Sequence, residues 1–166
     1  MNSCQEVGNL NFEQADELNE TIRAIGLRHR ALAIAALAPL GIHPGHKLLL
    51  MELERGPRTQ ASLAAATGYE PPTITLSVRQ LESAGFVARR SSETDGRATI
   101  VELTPEGRAL LAKVRQAWRR VAEQSVAALG SERIESVVEV LGELAASLAE
   151  AEPAPGGGPR HAPRRG

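Results

Sequence analysis

The sequence predicts a mainly α fold carrying one small β-hairpin, and three observations predict it. Apolar residues recur at three- and four-residue steps along most of the chain. Pro and Gly interrupt these stripes at intervals that cut the chain into short helices. Two segments, Phe86 to Arg90 and Ala98 to Leu103, are β-branched or alternating and flank the polar stretch Ser91 to Arg97, the pattern of an antiparallel hairpin. With 166 residues, the chain suits a single domain or two small ones sharing a core.

The elements follow in order. Leu18, Ile22, Ile25, Leu32 and Ile34 stripe one long helix over residues 13–38, ended by Pro39 and Gly41. A second helix opens after His43-Pro44 and runs to Glu54, where Gly56-Pro57 stops it. Thr59 caps a short helix over Gln60 to Ala66 with Leu63 inward, Thr67-Gly68 breaks it, and Pro71-Pro72 starts the next, which Gly85 ends after residue 84. The hairpin comes next. Thr104-Pro105-Glu106 announces a further helix by its cap, first-turn proline and early acid, with Leu110, Leu111, Val114, Ala117, Trp118, Val121 and Ala122 as its stripe. Gly130-Ser131 restarts the pattern, and Ile134, Val137, Val138, Leu141, Leu144 and Leu148 carry the last helix. Residues 1–12 form a flexible lead-in, and the Pro/Gly/Arg tail 151–166 has nothing to bury and is expected to be disordered.

Composition excludes several functions. Nineteen Lys plus Arg against twenty Asp plus Glu give a net charge of -1, so no bulk positive field draws the molecule to nucleic acid or membrane. The sign is local: residues 55–100 carry +2, residues 1–54 carry -3, and the remainder balances. The four aromatic residues, Phe12, Tyr69, Phe86 and Trp118, are too few to stack successive single-strand bases. Cys4 alone makes neither an internal disulfide nor a thiolate metal cluster. The most apolar stretch, Ala31 to Ile42, is broken by Pro39 and falls short of the roughly 20 residues of a bilayer crossing. The first ten residues lack an export signal, so a cytoplasmic location is expected. The bias to Arg and Ala suits a GC-rich bacterial genome. No nucleophile elbow, phosphate loop, HExxH pair or dinucleotide fingerprint is present, and neither enzyme activity nor a cofactor is expected.

Helix, helix-turn-helix and hairpin in this order read as a winged helix-turn-helix over residues 43–103, flanked by helices at 13–42 and 104–150. In the second helix of the pair, Ile74, Val78 and Leu81 share one face, which leaves Thr75, Leu76, Arg79 and Gln80 on the other. That face suits base edges: Arg79 forks onto guanine, Gln80 pairs with adenine, and Leu76 packs on a thymine methyl, while Thr73 and Thr75 bind phosphate or a methyl. Thr59, Gln60 and Pro72, at the starts of the two helices, complete the expected contact set. Arg89 and Arg90 either touch the DNA backbone or keep a sheet edge soluble. The plain alternative is an ordinary solvated helix face.

The runs Thr59-Gln-Ala-Ser-Leu-Ala-Ala-Ala-Thr-Gly68, Glu70-Pro-Pro-Thr-Ile-Thr75, Arg79-Gln-Leu-Glu-Ser-Ala-Gly-Phe-Val87, Asp95-Gly-Arg97 and Leu103-Thr-Pro-Glu-Gly-Arg108 are weak singly and specific in their order and spacing. Through them the chain resembles the MarR family of bacterial regulators over residues 13–149. The resemblance implies a homodimer joined by the terminal helices, a pseudo-palindromic operator in double-stranded DNA, and a regulator, read here as a repressor. It also implies that Arg97 reaches into the minor groove, oriented by Asp95, and that a small organic or phenolic anion acts as effector near Arg30, His43 and His46. Two departures stand out: many relatives are basic where Leu76 and Gln80 stand, leaving Arg79 as the helix's one cation, nearly balanced by Glu82. The sequence also admits a redox role for Cys4 and a metal at His43 and His46, where no carboxylate or thiolate spacing stands nearby to complete a ligand set. The alternative of another class is a winged helix that contacts protein and has lost DNA binding.

Physics supports a dimer independently. The helices outside the winged segment carry apolar stripes that a small domain alone cannot cover, and a two-fold partner would bury them. Two such copies would set their reading helices about 34 to 36 Å apart, one turn of duplex.

Overall fold

A computed structural model describes residues 10–91 and 98–151. Its element order is α1 (Phe12–Leu37), a 3₁₀ turn (Ala38–Leu40), α2 (Pro44–Glu54), β1 (Arg58–Thr59), α3 (Gln60–Thr67), α4 (Pro71–Ser83), β2 (Val87–Ser91), β3 (Thr99–Leu103), α5 (Pro105–Ser125) and α6 (Ser131–Ala151). The chain divides into two compact units, Met1–Ser125 and Val126–Gly166.

Local chemistry fixes most boundaries. Asn11 and Gln14 form a reciprocal capping box at the start of α1, where each side chain takes the other's backbone N–H. Gly41 closes the 3₁₀ turn in the left-handed region, at φ 70°. The ring of His43 caps α2, its Nδ1 accepting from the amides of Gly45 and His46 at 3.1 and 3.4 Å. Thr59 Oγ1 accepts from Ser62 N at 3.0 Å and so caps α3, as its position predicts.

The first unit has one core. Leu37, Leu49, Leu50, Leu53, Leu63, Ile74, Val78, Leu81, Val101 and Val114 are among its fully buried or nearly fully buried members. The predicted inward face of α4 is correct, with Ser77 buried beside Ile74, Val78 and Leu81. In α5, Leu110, Leu111, Val114, Ala117 and Val121 are buried and Trp118 is half-buried, but Ala122 is exposed.

The sheet corrects the two-stranded expectation. Arg58 and Thr59 pair with Val101 and Ile100, giving a three-stranded antiparallel sheet of order β1-β3-β2. Two residues are too few to show period-two alternation, so the strand left no signal in the sequence. The hairpin register runs from Val87 opposite Leu103 to Ser91 opposite Thr99.

Where β2, β3 and α5 meet, the backbones come unusually close. Thr104 N donates to Phe86 O at 3.1 Å, and Thr104 Oγ1 donates to Gly85 O at 2.7 Å while accepting from Gly107 N at 3.0 Å. The Phe86 carbonyl occupies the place a Cβ on Gly107 would need. Glycine is therefore required there for space, not for backbone freedom.

In the second unit, α6 presents Val138, Val140, Leu141 and Leu148 to the exterior, and none of its residues is buried. Among the described residues no single helix is long and apolar enough to cross a membrane.

Candidate nucleic-acid interface

Helices α3 and α4 are joined by three residues, Gly68 to Glu70. Gly68 ends α3 at φ 72°, a left-handed turn that lets the chain reverse sharply into α4. With one face of α4 locked into the core, Pro72, Thr73, Leu76, Arg79 and Gln80 are left exposed on the other. Leu76 is 58% exposed, an apolar side chain offered to solvent on a helix otherwise well packed. Arg79 is exposed and, among the described residues, takes part in no ion pair.

The start of α4 is poor in backbone donors. Pro71 and Pro72 have no N–H, and the amides of Thr73 and Ile74 are already bonded to Glu70 O at 2.9 and 3.2 Å. An anion at this terminus would depend on side chains rather than on the free amides that helix starts usually supply.

Several predicted contact residues are engaged inside the molecule. The hydroxyl of Thr75 lies 3.0 Å from both Pro71 O and Gln60 Oε1, so its single proton points to protein and not outward. Gln80 is not free either: its Oε1 accepts from His46 Nε2 at 2.9 Å. The Thr59 hydroxyl serves as the α3 cap.

The charges also arrange themselves differently from the sequence expectation. Glu82 does not balance Arg79; its carboxylate holds Arg89 across from β2 at 2.6 Å, and this bond keeps the Glu82 carboxyl below its ordinary pKa and raises that of Arg89. Arg90 lies 3.6 Å from Glu102 on β3. Position along α4 explains the correction, because Glu82 sits beyond Arg79 toward the helix end that meets the strand. Arg58, which the sequence reading passed over, pairs with Glu52 at 3.3 Å and reaches Ser62 at 3.3 Å, tying α2 to α3. Asp95 and Arg97 lie outside the described residues, as does Cys4.

The three expected effector residues are differently placed. Arg30 and His43 are exposed, whereas His46 is buried at 6% exposure. The His43 and His46 rings stack with centroids 3.5 Å apart. Burial, and secondarily the neighbouring His43, push the His46 pKa down, against the opposing effect of the Gln80 hydrogen bond. Nearby, Lys47 Nζ sits 4.3 Å from the centre of the Trp118 ring, and His29 meets that ring edge-on at 5.8 Å. A hollow of about 310 Å³ is lined by Leu32, Ala35, Ala36, Ala117, Arg120 and Gln124, and includes none of Arg30, His43 or His46. Among the described residues no three His, Cys, Asp or Glu side chains are grouped to hold a metal.

The sequence model of the MarR family matches residues 40–98, the stretch from the end of the 3₁₀ turn to the residue before β3. A probable transcriptional regulator from Pseudomonas aeruginosa is 30% identical, superposes with a TM-score of 0.70, and is matched over 78% of this chain and 98% of its own. The chain belongs to the MarR family. Its fold is the MarR winged helix, mostly helical with a small three-stranded sheet. A mutant of MarR from E. coli, solved in complex with operator DNA, shares that fold at 20% identity and a TM-score of 0.69, over 80% of this chain and 96% of that one. Bordetella bronchiseptica BpsR, described with regulation of its DNA binding by 6-hydroxynicotinic acid, is 19% identical with a TM-score of 0.68, over 78% of this chain and 98% of that one. MarR family members are DNA-binding transcriptional regulators and not enzymes, in accord with the absence of catalytic motifs from the sequence.

Proposed function

We propose that this protein is a homodimeric transcriptional repressor that binds a pseudo-palindromic operator and is released by a small organic or phenolic anion. The observation that carries the reading is the two-faced α4: Ile74, Ser77, Val78 and Leu81 hold it to the core while Leu76, Arg79 and Gln80 stand outward on a helix of major-groove size. Residues 13–42 and 104–150 form the dimerisation part, residues 43–103 the DNA-binding part. Arg79 reads guanine, Leu76 packs on a thymine methyl, Thr73 and Pro72 lie at the groove edge, and the hairpin between Arg89 and residue 98 follows the neighbouring backbone with Arg97 in the minor groove. The E. coli relative's complex with operator DNA supports this reading, and the aromatic acid that regulates the Bordetella relative supports the class of effector, for which Arg30 and His43 are candidate contacts.

Charge separates this reading from a protein-contact module. Arg89 and Arg90 are partly neutralised by Glu82 and Glu102, so binding to DNA has to be demonstrated through its salt dependence. Genomic fragments selected by the purified protein should bind with an affinity that falls at least about tenfold between roughly 50 and 200 mM salt. Failure to enrich any fragment, or enrichment indifferent to salt, would refute the proposal and favour the protein-contact module.

A further inference from the structure

His46 and Gln80 are 34 residues apart, yet the buried ring of one holds the exposed amide of the other. The bond joins Nε2 of the histidine to Oε1 of the glutamine at 2.9 Å. An amide oxygen only accepts, so the ring nitrogen donates and His46 is the Nε2–H tautomer. Its other nitrogen, Nδ1, is buried and has no hydrogen-bond partner among the described residues. Were Gln80 to swing away, both ring nitrogens of a buried side chain would lack partners, and buried polar groups strongly resist that state. The glutamine is thus held, although its residue is exposed.

The held geometry has a chemical sense. A free glutamine pairs with adenine by two bonds, its oxygen accepting from N6 and its nitrogen donating to N7. Here the oxygen is turned back to His46, and what remains to face outward is the NH₂ group, a donor. Guanine answers such a donor with two acceptors, O6 and N7, and thymine with O4 beside its methyl; adenine offers N7 too, but its neighbouring N6–H₂ is itself a donor and loses its acceptor once Oε1 is turned to His46. This differs from the adenine contact expected from the sequence, where the partner of Gln80 could not be seen.

We propose that His46 is a positioning residue for base readout: by holding Oε1 of Gln80 it presents the amide as a donor, so that the operator position under Gln80 is read as guanine or thymine instead of adenine. The proposal rests on α4 being the DNA-reading helix.

The test is selection from a randomised duplex library by the full-length wild type and by His46→Phe, His46→Gln and Gln80→Ala. Wild type should favour guanine or thymine at one position of each half-site, and Gln80→Ala should flatten the preference at that position alone. His46→Phe keeps a stackable ring without the donor, and should raise adenine about tenfold relative to guanine and thymine there, with other positions unchanged. His46→Gln restores a donor at the end of a similar reach and should return the wild-type preference. A His46→Phe profile identical to wild type, or a Gln80→Ala profile with no position altered, would overturn the proposal while leaving DNA binding intact. Enrichment of no sequence by wild type would instead refute the DNA-binding reading itself. Should His46→Phe not fold, nitrogen chemical shifts of the wild-type imidazoles decide: a bare Nδ1 and a protonated Nε2 on His46 support the proposal, and the reverse tautomer overturns it.

Discussion

Arg79 and His46 mark the two ways a side chain on or under α4 can matter. Arg79 is exposed and takes part in no ion pair among the described residues, so none of these has to release its guanidinium before it meets a base. Arg79→Ala is expected to weaken binding to the selected operator by about 1–3 kcal/mol, measured by titration against a mobility shift, and to relax preference at one base position. Unchanged affinity would remove it from the reading face. His46 acts from within. Its folded-state pKa lies below the ordinary value near 6.5, so the folded ring resists a proton that the unfolded chain accepts. The resulting stability is complete above that ordinary value and declines as pH falls through it toward the depressed folded pKa. Melting temperatures measured from about pH 8 to about pH 5 should therefore drop more steeply for wild type than for His46→Phe; equal slopes would contradict the assignment. The Thr59 cap was legible in the sequence because a cap and its amide are three residues apart. The His46–Gln80 bond was not, since nothing in local spacing joins α2 to α4 across that separation.

Element boundaries were readable wherever Pro, Gly or a capping residue punctuates a stripe. α2 begins at Pro44 and ends at Glu54 as the sequence indicates, and α4 starts at the Pro71-Pro72 pair. Alternation showed β2 and β3 but not β1, and charge counting alone could not assign Glu82 to Arg89. These are relations between elements, fixed by sheet order and helix placement. Gly107 is the clearest demand of this kind, because the Phe86 carbonyl stands where a side chain would begin. Gly107→Ala is expected to cost about 1–3 kcal/mol through forced separation of α5 from the strand, read as a lower midpoint in chemical denaturation. A midpoint equal to wild type would show that the two backbones part freely.

For the whole molecule the decisive fact is exposed apolar surface on the helices that flank the winged segment. Leu18, Ile25 and Ile34 on α1 and Val138, Leu141 and Leu148 on α6 are each more than 40% exposed in the single chain, a cost that a partner copy would remove. Light scattering at micromolar concentration should give twice 17.7 kDa, and Leu141→Glu should move the mass toward a single chain. A wild-type mass of one chain would end the dimer proposal. Amphipathic stripes made these helices visible in the sequence, but a stripe does not say what covers it.

The knot at Thr104 carries a mechanical implication. One threonine fastens the second residue after α4, the residue before β2 and the first turn of α5, with Gly107 seated against the Phe86 carbonyl. A push delivered along α5 is therefore expected to load this joint directly and to pass through it to the outward helix and the strand ribbon.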